Sequence, residues 1–205
     1  EIDIISKDRS TTKYVFRAHT DIDPPKYYLF NLNEKTIEYL GSEFPSLENV
    51  PLSKMHRITY MARDGLEVPA FLTLPEGYSD KNLPLIVFPH DGPWSSDRWG
   101  FDRYIQFLAS RGYAVLQPQF RGSTGYGHEF EKAGYGEWGK SIINDINDSV
   151  QPLIEDGIID DQRICIMGEG LGAYSAFHAA IGDKEIYKCM VSIEGFFDIK
   201  DFFYR

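Results

Sequence analysis

The sequence predicts an α/β protein whose sheet is mainly parallel and is covered by helices on both faces. From residue 85 onwards, short apolar runs typical of strands buried on both faces alternate with segments of helical spacing. Strands that alternate with helices form parallel sheets, because each helix carries the chain back to the starting edge. The composition agrees with a globular domain, since 42% of the 205 residues are hydrophobic and 25% are charged.

Composition and charge exclude several classes of function. The formal net charge is -10, and an acidic surface repels phosphate backbones, so we expect no nucleic-acid partner. No stretch approaches the ~18 consecutive apolar residues of a membrane span, so no membrane partner is expected. No spacing of cysteine and histidine resembles a zinc site, and we expect neither a metal nor a cofactor.

The ends and the cysteines add two expectations. The chain opens at Glu1 without Met, which is typical of an internal cut. A signal peptide could precede it, so cytoplasmic and periplasmic locations both stay open. Cys165 and Cys189 each lie in an apolar run, so we expect them to be free, buried core residues. A count of two also argues against a disulfide scaffold.

The first part of the chain is rich in β-strand signals. Residues 14–16 predict a strand, and residues 27–30 and 36–40 predict a hairpin around Asn31 to Lys35. About forty residues of hairpin cannot bury a core alone. They therefore predict one sheet unit from a larger β domain.

A second hairpin follows a linker at residues 45–53. Its strands are residues 56–62 and 66–74, with a turn at Arg63 to Gly65. Proline has no N–H for a strand ladder, so Pro69 predicts that the second strand lies at the sheet edge.

The remaining residues follow a βαβα pattern. A Gly-rich loop at residues 119–139 interrupts this pattern. We predict strands at residues 85–88, 113–116, 163–167 and 189–193, and helices at residues 101–109, 142–154 and 172–181.

One strand-to-helix turn carries the main chemical signal. Gly168-Glu169-Gly170-Leu171-Gly172 has the spacing of a nucleophile elbow, G-x-S-x-G, but Gly170 stands where the serine should be. An ordinary Gly-rich turn is one alternative. A phosphate-binding turn is another, although Glu169 disfavours it by adding a negative charge.

Two loops accompany the turn. Phe88 to Trp94 follows the first buried strand, in the place where such folds supply an oxyanion-binding N–H. Residues 119–127 could shape a pocket wall through Arg121 and several glycines. Taken separately, the first is also compatible with a simple Pro/Gly turn and the second with a long ordered loop.

Together, six sequence blocks resemble one family and keep the order and spacing of its motifs. The blocks are His90-Asp91-Gly92-Pro93-Trp94, Trp99-Gly100-Phe101-Asp102, residues 111–117, residues 120–127 (F-R-G-S-T-G-Y-G), residues 133–139 and residues 144–148. Their sequences resemble the prolyl oligopeptidase family of serine peptidases, closest to its acylaminoacyl-peptidase and dipeptidyl-aminopeptidase-like branch. The resemblance covers roughly residues 45–200. It implies an α/β-hydrolase fold that is incomplete at the C-terminus and is preceded by a short β segment.

The resemblance also implies domains and roles. Residues 1–44 would end a β-propeller-like domain, and residues 45–205 would begin the hydrolase domain. The nucleophile position falls on Gly170, and the oxyanion N–H groups would be those of Leu171 and Gly92. The triad Asp and His would follow strands after Ile193, and this chain ends at Arg205. No histidine of this chain is expected to be the base, and Ser175 is expected to be a packing residue.

These roles predict a proteolytic domain that is inactive as written, through natural loss of the serine. Two alternatives stay open: an active peptidase or esterase fragment that uses residues outside this chain, and a non-catalytic peptide-binding or scaffolding module. A peptide or small molecule is the expected ligand. Asp91, Glu169 and Glu194 lie at the carboxyl edge of the predicted sheet and either form an acidic pocket for a cation or amine or are three solvated acids.

The last predicted strand would have one edge without a neighbouring strand. Residues 190–193 would leave a hydrophobic edge open. We expect this edge to pair with a second copy of the chain or to be covered by Phe196-Phe197 and Phe202-Phe203.

Overall fold

The structure, a computed structural model, describes residues 1–92 and 94–200 and contains two β-sheets. The first is a four-stranded antiparallel sheet in chain order: β1 (Ile2–Lys7), β2 (Lys13–Ala18), β3 (Lys26–Asn31) and β4 (Thr36–Ser42). The predicted hairpin is confirmed as β3 and β4. β1 was not predicted, because Ile2 and Ile4 are both exposed and its apolar residues follow no buried face.

The second sheet has six strands and is mainly parallel. Its order is β10-β9-β7-β8-β6-β5. The first four strands run parallel to one another, β6 pairs antiparallel with β8, and β5 pairs antiparallel with β6. This confirms the predicted α/β class. The strands are β5 (Met55–Met61), β6 (Glu67–Thr73), β7 (Leu83–Val87), β8 (Ala114–Pro118), β9 (Ile159–Glu169) and β10 (Cys189–Ile193).

Helices lie on both faces of this sheet. The connection from β7 to β8 and the connection from β8 to β9 cross the sheet in opposite directions, so right-handed crossovers place their helices on opposite faces. None of the helices in the described ranges has the length and apolar character needed to cross a membrane. The helices are α1 (Arg103–Ala109), α2 (His128–Lys132), α3 (Ser141–Asp148), α4 (Gln151–Glu155) and α5 (Leu171–Gly182), and a short 3-10 helix spans Pro45–Leu47.

The core follows the alternation of the central strands. Leu85 and Val87 belong to one buried cluster with Ile146 of α3, and all three side chains are fully buried. On the opposite face, α1 packs on β8, and Ile105 and Val115 are buried there. This two-sided burial accounts for the continuous apolar runs of these strands.

Two predictions about elements are wrong. The predicted helix over 142–154 is divided into α3 and α4, because Pro152 lacks an N–H and its ring clashes with the carbonyl four residues earlier. β6 is interior rather than an edge. Its ladder with β8 begins at Ala70, so Pro69 needs no N–H there, and the Pro69 carbonyl still accepts a hydrogen bond from Gln119 N.

The prediction of free core cysteines is also wrong. Cys165 of β9 and Cys189 of β10 form a disulfide, with Cα atoms 4.7 Å apart. The two residues are direct partners in the parallel ladder. Cys165 is half-buried and Cys189 is exposed. The sequence pattern could not show this pairing, because register between strands 24 residues apart is decided by the sheet.

Within the described residues, β10 is the outermost strand on its side of the sheet, and its Val191 is 45% exposed. Phe196 stacks on Tyr174 and Phe197 contacts Phe177, so both pack against α5. Phe202 and Phe203 lie outside the described residues. Pairing of this edge with a second copy stays a prediction.

Candidate functional site

The turn from β9 into α5 has the sharp geometry that its glycines predict. Gly170 precedes the helix with φ 54° and ψ −118°, a backbone conformation that residues with a Cβ rarely adopt. A Cβ on Gly168 would lie 2.6 Å from the nitrogen of Ala173, and one on Gly172 would lie 3.0 Å from the carbonyl oxygen of His90. The strand, the helix and the loop after β7 therefore meet too closely for side chains at 168 and 172.

The carboxylate of Asp91 stands directly in front of this turn. Its Oδ1 accepts a hydrogen bond of 2.6 Å from the backbone N–H of Leu171. A Cβ built on Gly170 would lie 2.7 Å from the Cγ of Asp91. Asp91 thus occupies the space in which a side chain at position 170 would begin, and it takes an N–H that the resemblance assigns to oxyanion binding.

The structure brings four of the six predicted site residues together. Gly92 lies against Leu171, since a Cβ on Gly92 would be 3.0 Å from the Leu171 Cδ2. Together with Asp91 and Gly170 these residues form the elbow site. Pro93 of the same loop lies outside the described residues.

The other two acids of the predicted pocket are exposed. Glu169 ends β9, and Glu194 follows β10 with a positive φ of 50°. In the described part of the chain, only Glu1, Asp3 and His19 form a group of three acids, cysteines or histidines with close ligand atoms. Asp91, Glu169 and Glu194 do not form such a group.

His90 is buried behind the elbow with both ring nitrogens engaged. Nδ1 lies 2.6 Å from the carbonyl oxygen of Asp91, and Nε2 lies 2.7 Å from the hydroxyl of Ser123. Because Nδ1 faces a carbonyl oxygen it carries the proton of a neutral imidazole, which leaves Nε2 as an acceptor. The one hydroxyl proton of Ser123 then lies between Nε2 and the carbonyl oxygen of Phe120 (2.7 Å). Burial lowers the pKa of His90 to about 4, which favours this neutral form.

In the block at residues 120–127, the Arg121 side chain is held by two acids. The Arg121 guanidinium makes two hydrogen bonds to the fully buried Asp145, from Nε (2.8 Å) and Nη2 (2.6 Å), and a further ion pair to Asp64 (2.8 Å). The Arg121 N–H also donates to Asp145. Arg121 borders a cavity, as expected for a pocket wall, but its charge is committed to these two acids.

An apolar cavity of about 450 Å³ lies beside the elbow. Leu171 and Tyr174, from the start of α5, form one side of it. Ser175 also borders the cavity but is only 3% exposed, as expected of a packing residue. The aromatic residues that line the cavity are Trp94, Phe120, Tyr135, Trp138 and Tyr174.

A titratable group that the sequence did not reveal is Asp97. Its Oδ2 accepts a hydrogen bond from Gln119 Nε2 (3.1 Å), while its own N–H donates to Gln119 Oε1 (2.9 Å). Burial raises the pKa of Asp97 to about 7, against the opposing effect of the Gln119 hydrogen bond. Asp97 is half-buried in the structure, and no sequence signal marks it, because its contact with Gln119 joins residues 22 positions apart.

The chain is similar to peptidases over most of its length. The model of the prolyl oligopeptidase family matches residues 99–205. Dipeptidyl aminopeptidase BIII of Pseudoxanthomonas mexicana is 36% identical over 84% of this chain and 26% of its own length. Dipeptidyl peptidase family member 6 of Caenorhabditis elegans is 30% identical over 95% of this chain and 29% of its own length. The chain therefore spans less than a third of these relatives.

Solved structures agree with these matches. A puromycin-hydrolyzing peptidase of Mycobacterium tuberculosis superposes with a TM-score of 0.81 and 26% identity, over 93% of this chain and 30% of that one. An acylaminoacyl peptidase of Pyrococcus horikoshii superposes with a TM-score of 0.76 and 23% identity, over 94% and 31% of the two chains. The fold is thus that of an α/β-hydrolase domain, and the chain belongs to the prolyl oligopeptidase family.

Proposed function

We propose that this chain is a serine-peptidase-type domain that does not hydrolyse peptide bonds at its elbow site. The observation that carries the proposal is the Asp91 carboxylate, which accepts the Leu171 N–H and stands against Gly170. Acyl transfer needs a nucleophilic side chain and N–H groups that are free to bind the developing oxyanion. Gly170 offers no nucleophile, and Asp91 puts an acceptor oxygen where an oxyanion would form.

His90, in the loop after β7, does not supply a base. His90 uses both ring nitrogens within its own loop and with Ser123, and the ring stacks on Phe120 at 4.3 Å. Ser123 is itself fully buried. A hydroxyl that is buried in this way cannot reach a peptide carbonyl, so the His90–Ser123 pair does not replace the missing nucleophile.

A fluorophosphonate probe tests this proposal. We expect no covalent labelling of the native chain, with heat-denatured chain as the background control and dipeptidyl aminopeptidase BIII of Pseudoxanthomonas mexicana as the positive control. Labelling of any serine above background would refute the inactive elbow. It would favour the alternative of an active peptidase or esterase, whose remaining catalytic groups lie in other parts of a longer protein.

A second candidate function is a peptide-binding or scaffolding module. The aromatic cavity beside Leu171 supports it, because concave apolar sites of this size commonly hold ligands. The Asp91 carboxylate at the elbow adds a preference for a ligand with a free amine. Calorimetry with one peptide in two forms, free and N-acetylated, tests this preference, and equal or absent binding of both forms would exclude it.

We also propose that the first sheet derives from a propeller-like domain at residues 1–44. Propeller blades are four-stranded antiparallel sheets, and β1 to β4 have that composition and order. The hydrolase domain would then begin at residue 45. Because the relatives are more than three times longer, the activity, substrates and partners of a complete protein remain part of this proposal.

A further inference from the structure

The Cys165–Cys189 disulfide links two neighbouring strands at paired positions of the parallel ladder. Within residues 1–92 and 94–200, β10 is the outer strand and its Cys189 is exposed, whereas Cys165 of β9 is half-buried. Cys189 is therefore the more exposed of the two bonded residues.

The strand that this bond holds also contacts the elbow. At one end of the ladder, Lys188 N–H donates to the carbonyl of Ile164 (2.8 Å). At the other end, the N–H of Gly170 donates to the carbonyl of Ile193 (3.1 Å). The disulfide joins the first residue of β10 to β9, and the last residue of β10 supports the backbone of the turn.

We propose that Cys165–Cys189 is a thiol-exchange site that reacts with small thiols at Cys189, and that its reduction loosens β10 and the elbow. The inference does not rest on the proposed function. Exchange depends on access of a thiolate to one sulfur, and the exposed position of Cys189 provides that access.

The reaction proceeds in two balanced steps. A thiolate attacks the Sγ of Cys189, a new sulfur–sulfur bond forms, and the Cys189–Cys165 bond breaks with Cys165 leaving as a thiolate that takes a proton. A second thiolate then attacks the outer sulfur of the mixed disulfide and releases Cys189 as a thiolate, which is protonated. The protein gains two electrons and two protons, and two thiols become one disulfide.

Peptide mapping tests the site of attack. Trypsin cleaves after Arg163, Lys184, Lys188 and Lys200, so the two cysteines fall in separate peptides, residues 164–184 and 189–200. Without reductant we expect these peptides to be linked. After brief treatment of the native protein with glutathione and quenching with iodoacetamide, we expect glutathione on 189–200 and alkylation on 164–184. Free thiols before treatment, or glutathione mainly on 164–184, would overturn the proposal.

Hydrogen exchange tests the structural consequence. On reduction we expect the amides of β10 and Gly170 to lose at least tenfold in protection, while the amides of β5, at the opposite edge of the same sheet, keep theirs. The double substitution C165S/C189S should reproduce the reduced protein without a reductant. A closed loop of this length also predicts a fall in Tm of roughly 5 to 10 °C. Unchanged protection of β10 after complete reduction would contradict the proposed link.

Discussion

Asp91 and Gly170 lie in direct contact at the turn from β9 into α5. Asp91 bonds to Leu171 N–H only because no side chain projects from position 170. A serine there would have to displace the carboxylate. The two positions are therefore coupled, because a side chain at position 170 and the Asp91–Leu171 hydrogen bond exclude each other.

A double-mutant cycle measures this coupling. We expect G170S to destabilise the fold by roughly 2 to 4 kcal/mol, because a Cβ is forced against Asp91 at a positive φ. In the D91G background the same substitution should cost less, with a coupling of about 1 kcal/mol or more. Urea unfolding of the four proteins provides the free energies.

Gly125 offers a matched control for that cycle. It also has a positive φ, of 87°, but a Cβ there would meet nothing within 4 Å. G125S should therefore show backbone strain alone and no coupling to D91G. Equal costs of G170S in both backgrounds would contradict the proposed exclusion.

Asp97 predicts a pH dependence of stability. Burial raises its pKa from 3.8 to about 7, so the folded protein holds a proton between these values that the unfolded chain releases. This group's contribution to stability is present below pH 3.8 and is lost as pH rises towards 7. Relative to D97N, the wild type should lose roughly 2 to 4 kcal/mol of unfolding free energy between pH 4 and pH 8.

Urea unfolding of both proteins at pH 4, 6 and 8 checks this expectation. Asparagine keeps an acceptor for Gln119 but cannot ionise, so the difference between the proteins isolates the carboxyl group. The neighbouring S96A variant should show no comparable trend. A difference that is constant with pH would show that Asp97 does not titrate in this way.

At the scale of elements, an ion pair joins the loop after β8 to α3. Arg121 and Asp145 are both buried, whereas Arg63 and Asp148 make a similar pair with an arginine side chain that is 55% exposed. Removing one partner of a buried pair leaves an uncompensated charge, while exposed pairs contribute little.

Two substitutions compare these pairs. R121M should destabilise the fold by about 3 to 5 kcal/mol, because Asp145 is left without its partner. R63M should cost below about 1 kcal/mol. Guanidinium unfolding of both variants measures the difference, and similar costs would show that burial does not decide the contribution.

Most elements were predictable because their signals are local. Apolar runs marked the central strands, and Gly172 to Ile181 had helical spacing that is confirmed in α5. The failures at Pro69 and Pro152 have one cause. The effect of a proline depends on whether its missing N–H is needed, and that depends on the neighbouring strand or on the preceding turn of helix.

At the scale of the whole molecule, one glutamine side chain connects the two sheets. Gln106 of α1 donates from Nε2 to the carbonyls of Asp21 (3.0 Å) and Ser53 (2.7 Å), and its Oε1 accepts from the N–H of Ser53 (2.9 Å). Asp21 in turn accepts from the N–H of Met55 (2.9 Å). These buried contacts satisfy the backbone of the segment that joins the sheets.

Replacing this glutamine should loosen the connection. We expect Q106L to cost about 2 to 4 kcal/mol, because two carbonyls and one N–H lose their partner in a buried place. Limited proteolysis should also cut residues 43–54 faster. The neighbouring F107Q, at a side chain that is 56% exposed, should change stability by less than about 0.5 kcal/mol. Unaltered proteolysis of Q106L would contradict this role.

By itself, the sequence determined the α/β class, the strand-to-helix elbow and the family. These depend on hydrophobic periodicity, on glycines at a sharp turn and on motifs in the order typical of the family. All three are local features of the sequence. Only the tertiary structure decided that Asp91 bonds to Leu171, that Arg121 bonds to Asp145 and that Cys165 bonds to Cys189. Each of these contacts joins residues at least 24 positions apart, and strand order and register set their distance.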